Sequence, residues 1–255
     1  MRHELKYLVP NSARPWLRRH VLRYTGRDPH ATEEGFYTVR SIYMDTSRGA
    51  MYEDKVEGTR ARLKVRVRGY NDVDLTSPAS LELKRKASST AWKRRAHLPL
   101  GEVEGWLRGN GGQGGVHSEP DDEDAARTFR YFVLRNSLKP VVLVVYDREA
   151  FEGVHDPTLR VTFDCDLRGR FTSQLSRLGA EAPVRVFDRH FILEVKFDYH
   201  FPTWLKPALA ELGLQRRALS KYTLTMDACA RATHGRRASF SGGRVLRPGL
   251  LQTSF

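Results

Sequence analysis

Arg62-Leu63-Lys64-Val65-Arg66-Val67-Arg68 alternates cationic and aliphatic residues over seven positions. Successive side chains point to opposite faces of a β-strand, so residues two apart share a face. As a strand, this segment projects Arg62, Lys64, Arg66 and Arg68 from one side and Leu63, Val65 and Val67 from the other. The aliphatic side requires a core. The cationic side has two readings: a solvated outer surface, or a surface kept for a polyanion. One strand does not choose between them.

Other strands carry the same pattern. Glu4 and Lys6 share a face, as do Glu82, Lys84 and Lys86, and Tyr146 and Arg148 follow an apolar run. Arg160, Thr162 and Asp164 alternate with Leu159, Val161 and Phe163; Glu194 and Lys196 alternate with Leu193, Val195 and Phe197. Unpaired burial of such charges costs several kcal/mol each, by rough estimate. A polyanion among them, with a few carboxylates holding a metal, removes that cost. The expectation is the inside of a tunnel that admits phosphate, where Arg grips oxygens two at a time and Lys acts as a point charge.

Composition agrees. The chain has 255 residues, 40% of them hydrophobic, and a formal net charge of +13, with a pI near 10.0. Such a balance points to nucleic acid, an anionic membrane or a phosphate-rich molecule. Cys165 and Cys229 show no metal-ligand spacing, which fits a reducing compartment. The segment Met1-Arg2-His3-Glu4-Leu5-Lys6 has no secretory pattern, and the run Val141 to Val145 is too short to span a bilayer. A soluble cytoplasmic protein is expected.

Strands are expected at 3–9, 36–45, 59–70, 79–87, 91–99, 140–152, 158–167, 184–188 and 190–198. Helices are expected at about 11–24, 123–136, 202–212 and 220–232. The fold class is α+β: an antiparallel β-barrel-like tunnel of about eight strands with flanking helices. Residues 1–230 read as one domain, with a flexible glycine-rich and acidic loop at 109–124. Residues 231–255 hold five arginines and no acidic residue, and read as a mobile basic tail.

An ordered set of motifs then becomes recognisable. Glu4-Leu5-Lys6-Tyr7, Val39-Arg40-Ser41-Ile42-Tyr43-Met44-Asp45, Lys64-Val65-Arg66-Val67-Arg68 and Leu81-Glu82-Leu83-Lys84 come first. Tyr146-Asp147-Arg148, Leu159 to Asp164, Ile192 to Lys196 and Leu219-Ser220-Lys221-Tyr222 follow. Together they resemble the VTC domain, the polyphosphate polymerase domain of the vacuolar transporter chaperone complex, over roughly residues 2–230. That family belongs to the triphosphate tunnel superfamily, with CYTH-type triphosphatases and cyclases. The resemblance implies that Lys6, Arg66, Arg68, Lys84, Arg148, Arg160 and Lys221 contact ATP, triphosphate or a growing polyphosphate chain. It implies hydrogen bonds to phosphate from Tyr146 and Ser220, and Mn²⁺ or Mg²⁺ held by Glu194. Lys64 shares the cationic face of its strand. Lys93 or Arg95 matches a further basic position, and Lys196 shares the face of Glu194. The chain is expected to begin directly at this domain, without the regulatory and membrane segments of eukaryotic members.

Plainer readings stand beside these. Glu194 could be an ion-pair partner of Lys196. Asp45 and Asp164 fit strand-end roles as well as support of a site, and the nine histidines show no paired ligand spacing. A hydrolase would use the same tunnel with water as acceptor. A nucleic-acid module would need aromatic residues interleaved with the cations, whereas strand 62–68 has aliphatic partners and only Tyr70 at its end. Arg66→Ala and Arg68→Ala are expected to leave the fold intact, because they relieve repulsion.

Overall fold

The computed structural model describes residues 2–29, 31–32, 35–87, 90–109 and 120–237. The chain runs through β1 (His3–Pro10), α1 (Arg14–Val21), β2 (Thr25–Arg27), β3 (Tyr37–Asp45), α2 (Ala50–Val56) and β4 (Arg62–Tyr70). It continues with β5 (Pro78–Ala87), β6 (Thr90–Pro99), α3 (Leu100–Arg108), α4 (Pro120–Arg135) and β7 (Lys139–Gly153). β8 (Arg160–Phe171), β9 (Val184–Arg185), β10 (His190–Phe197), α5 (Leu205–Glu211) and α6 (Lys221–Arg237) complete it. Most of the loop at 109–124, and residues 238–255 of the expected tail, lie outside the described residues. Residues 231–237 continue α6.

The strands follow the order β1-β10-β8-β7-β3-β4-β5-β6, with β2 beside β7 and β9 beside β8. Neighbours pair antiparallel wherever the register is defined. The path ends at β1 and β6, which do not pair with each other among the described residues, so the sheet is not closed there. The expectation of a barrel came from the number of strands and their short connections, and that of a charged interior from alternation; neither tells which strands meet at the edges of the sheet. Contacts divide the chain into two compact units.

The first unit holds residues 1–39, 145–168 and 185–220. Its register sets Leu5 opposite Val195 and Tyr7 opposite Leu193, and Leu193 opposite Phe163. These pairs form one continuous apolar face, which buries Leu17 and Val21 of α1 and Leu205 of α5. Each such side chain contributes about 1.5–3 kcal/mol when fully buried. The alternate positions, Glu4, Lys6, Glu194, Lys196, Thr162 and Arg160, lie on the other face in matching register.

The second unit holds residues 40–144, 169–184 and those from 221 onward. Here Val65 stands opposite Leu83 and Val67 opposite Leu81. α3 and α2 escaped the sequence pattern. In α3, Leu100, Val103 and Leu107 do recur at helical spacing and are buried. Gly101 and Gly105 dilute that signal, since glycine weakens helix propensity. α2 follows from Asp45, whose carboxylate accepts the backbone N–H groups of Thr46 (2.6 Å), Met51 (2.9 Å) and Tyr52 (3.0 Å).

α6 approaches β8 closely at Gly169. A Cβ on Gly169 would collide with Thr225 Cγ2 and press on the Leu143 carbonyl and Cys229 Sγ. Glycine is therefore required there by the close approach of α6, the helix that carries Lys221 and Tyr222. Gly169→Ala is expected to cost about 1–3 kcal/mol through overpacking. Urea unfolding at neutral pH measures it, and an unchanged midpoint is the contrary result.

Candidate functional site

Each unit carries cations on one strand face, gathered around a buried carboxylate. In the second unit that carboxylate is Glu82, only 4% exposed. Arg66 donates to Oε2 from Nε at 2.7 Å and from Nη2 at 2.5 Å. Arg95 Nη2 donates to Oε1 at 2.9 Å, and Arg68 Nη1 lies 3.8 Å from the same oxygen. Arg68 also donates from Nε to Ser41 Oγ at 3.1 Å. Burial opposes ionisation of Glu82, but Arg66 and Arg68 outweigh it and hold the carboxyl well below its usual range.

Beside this cluster, Lys64 stands directly opposite Lys84, and Lys84 opposite Lys93. Lys84 and Lys93 are exposed. The register settles the Lys93-Arg94-Arg95 run: Lys93 and Arg95 share the face of Glu82, whereas Arg94 is on the other side and pairs with Asp124 at 3.8 Å. Tyr43 also lies here, accepting a hydrogen bond from Arg66 Nη1 at 2.8 Å.

In the first unit the central carboxylate is Glu194, also 4% exposed. Lys196 Nζ lies 2.5 Å from Oε1 and Lys6 Nζ 3.5 Å from Oε2, and Lys6 also reaches Glu4 at 2.7 Å. Burial disfavours charge on Lys6, yet Glu194 and Glu4 outweigh it and raise its pKa. Arg148 grips Asp164 with two bonds of 2.6 and 2.9 Å and lies over the Tyr146 ring at 5.3 Å. Arg160 pairs with Asp28, with Glu152 at 2.8 Å and with the Tyr37 hydroxyl at 3.2 Å.

Of the residues singled out in the sequence, Lys64, Arg66, Arg68, Lys84 and Lys93 thus fall on one face of the second unit. Lys6, Arg160, Lys196 and Glu194 share a face of the first. Tyr146 pairs with Arg148 in the same unit. Ser220 and Lys221 are buried where α6 begins. The pairing of Glu194 with Lys196 matches the plainer reading of that carboxylate. Asp164 is a partner of Arg148 rather than a strand end. Sequence reasoning assigned no role to Glu82, Ser41 or Tyr43, although each was legible as an alternating position in its strand.

No three His, Cys, Asp or Glu side chains gather as a metal cage among the described residues. Glu194 nonetheless stands opposite Thr162, whose buried Oγ1 has no hydrogen-bond partner among the described residues. One carboxylate and one hydroxyl are hard oxygen donors. They fit a divalent cation that would draw the rest of its shell from other oxygen donors.

The fold and these faces define an α+β protein built on an antiparallel sheet, with cations collected on one strand face in each unit. The chain belongs to the VTC domain family, whose model matches residues 1–230. It is 25% identical over 199 residues to vacuolar transporter chaperone complex subunit 4 of Schizosaccharomyces pombe, covering 71% of this chain and 26% of that protein. It thus spans about a quarter of that relative's length. A Hippeastrum adenylyl cyclase candidate, described as having a dominant triphosphatase activity, aligns with TM-score 0.48 and 15% identity over 89% of this chain and 95% of its own. A Pyrococcus horikoshii protein aligns with TM-score 0.42 and 13% identity over 88% and 99%. No helix among the described residues is long and apolar enough to cross a membrane.

The Glu82 cluster corrects one expectation. Arg66 and Arg68 do more than repel each other; they neutralise a buried carboxylate. Removing one partner of a buried pair costs about 3–5 kcal/mol, so Arg66→Ala should destabilise the fold. The pH dependence follows in sign. Because the folded-state pKa of Glu82 is depressed, its contribution is present above the unfolded carboxyl value of about 4.3 and is lost as pH falls. Melting curves should show wild type losing stability on acidification below that value, with a shallower loss in Glu82→Gln. Parallel acid limbs for the two proteins would contradict the assignment.

Proposed function

We propose that this chain is a polyphosphate polymerase-like phosphotransferase that moves the γ-phosphate of ATP onto a polyphosphate chain, with Mn²⁺ or Mg²⁺. The observation that carries this reading is the row of Lys64, Lys84 and Lys93, set directly opposite one another on adjacent strands. Like charges in opposite register destabilise a sheet. A polyanion lying across the row offsets that cost. Membership of the VTC domain family supports the reading, as does the relative from the chaperone complex.

Phosphoryl transfer needs positioning and charge neutralisation more than covalent chemistry. Arg66 and Arg68, held in place by Glu82, Tyr43 and Ser41, present donors at fixed positions to equatorial phosphate oxygens. Lys64, Lys84, Lys93 and Lys221 supply further positive charge along the chain. In the first unit, Lys6, Tyr146, Arg148, Arg160, Lys196 and Ser220 contribute contacts to phosphate. Glu194, with Thr162 beside it, would hold the metal. A cation bound there would neutralise charge on the phosphate oxygens beside it. The terminal oxygen of the chain attacks, ADP leaves, and the cationic faces retain the product.

Incubation with labelled ATP and Mn²⁺, followed by separation of long chains from free phosphate, tests the reaction. Long labelled chains support transfer to polyphosphate, and free phosphate alone assigns hydrolysis by the same residues. Lys84→Ala is the cleanest variant, because Lys84 is exposed and faces two other lysines. It should lower turnover about 10²–10³-fold, by analogy with loss of one preorganised electrostatic contact, without lowering the melting temperature. Glu194→Gln should abolish the response of turnover to Mn²⁺ while triphosphate still binds. A Glu194→Gln enzyme with the wild-type Mn²⁺ titration contradicts the metal role.

A further inference from the structure

Tyr43 lies on β3 in the second unit, 3% exposed. Arg66 Nη1 donates to its hydroxyl at 2.8 Å. Lys64 Nζ is 5.1 Å from the ring centroid and the Arg66 guanidinium carbon 5.6 Å. On the α6 side, the Tyr222 ring stacks on Tyr43 at 5.0 Å, while the Tyr222 hydroxyl donates to Asp45 at 2.5 Å. The Tyr43 hydroxyl therefore accepts a hydrogen bond, but no acceptor among the described residues takes its own proton.

The charged groups that act on it most strongly are Arg66, Lys64 and Arg68 of β4, all cations, and the Tyr222 phenol stacked on it from α6 stays protonated. The carboxylates one bond further out are engaged elsewhere. Glu82 is held by Arg66 and Arg95, and Asp45 by Tyr222 and the N–H groups that open α2. A buried phenol with a proton to give, surrounded by cations, is complementary to an anion with oxygens to accept it.

We propose that Tyr43 is a phosphate ligand: its hydroxyl donates to a phosphate oxygen held by Arg66 and Lys64, and without ligand its own oxygen occupies that place on Arg66. This rests on the reading that the second unit's cationic face binds phosphate. It adds a proton to the binding event. Burial alone would raise the pKa of Tyr43, but Arg66, Lys64 and Arg68 outweigh it and lower the value to about 7. Near neutral pH an appreciable share of Tyr43 is therefore phenolate. An arriving phosphate supplies the negative charge those cations attract, so the phenolate takes one proton from solvent and becomes the donor. Only that O–H bond forms, and the proton's former carrier in the buffer takes the balancing charge.

The wild-type protein reports this without any variant, because phenolate has its own ultraviolet band. Tyr7, Tyr37 and Tyr222 are shifted upward, with burial the first cause in each, so they stay protonated in that range. At about pH 8 a tyrosinate band should be present and should fall as inorganic triphosphate is added. Calorimetry in two buffers of different ionisation enthalpy should show more proton uptake by wild type than by Tyr43→Phe. That variant keeps the ring on Tyr222 and should lack the band, and it should bind triphosphate roughly tenfold more weakly. Triphosphate binding that leaves the wild-type band unchanged overturns the inference and leaves the proposed function standing. A band that persists in Tyr43→Phe overturns it as well. If no binding heat remains beyond that of chloride at equal ionic strength, the proposed function fails, and the inference with it.

Discussion

A carboxylate buried against several cations is the interaction on which this structure depends. Glu82 lies beneath Arg66, Arg68 and Arg95 on adjacent strands, and Glu194 between Lys6 and Lys196. Without such groups, a chain of net charge +13 could not place rows of cations on partly buried strand faces. Coulomb attraction across short distances in a poorly solvated setting outweighs the cost of taking these ions from water only when geometry is good. The two bonds from Arg66 to one Glu82 oxygen, and the fork of Arg148 on Asp164, provide that geometry.

The same pairing makes the faces ready for a ligand. A guanidinium fixed by a carboxylate on one edge keeps its other edge in a defined direction, so little side-chain entropy would be lost on meeting an anion. Arg66 shows the division: Nε and Nη2 are spent on Glu82, while Nη1 points to Tyr43. Lysines serve differently. Lys84 and Lys93 are exposed and face each other in register, so they supply field rather than fixed donors. Arginines held by a carboxylate thus stand beside lysines exposed to solvent on the same face.

Helices hold the second unit's face from behind. Asp45 ends β3, gathers the N–H groups that open α2, and accepts the Tyr222 hydroxyl from α6. Tyr222 in turn stacks on Tyr43. A chain of contacts thus runs from α2 and α6 to the hydroxyl that meets Arg66. α6 can come this close because residue 169 has no side chain. The position of Tyr43 thus depends on how α6 packs.

Apart from the three-residue β2, which the sequence pattern missed, strand identity and facing were set by sequence alone. The period of two in Arg62 to Arg68 and in Leu193 to Phe197 requires that cations and aliphatics part to opposite faces, whatever the partners. That sufficed to place Lys64, Arg66 and Arg68 on one face of their strand and Glu194 and Lys196 on one face of theirs, and the ordered motifs sufficed to recognise the family. The tertiary structure decided what those residues meet, because register and strand order depend on contacts distant in sequence. Only the register shows that Glu82 faces Arg66 on one side and Arg95 on the other, or that Lys93 and Arg95, but not Arg94, share its face. Only packing brings Tyr222 onto Tyr43, 179 residues away by their numbers. Alternation fixes the direction of a side chain; the distance between two charges, which sets their pKa values and their chemistry, belongs to the fold.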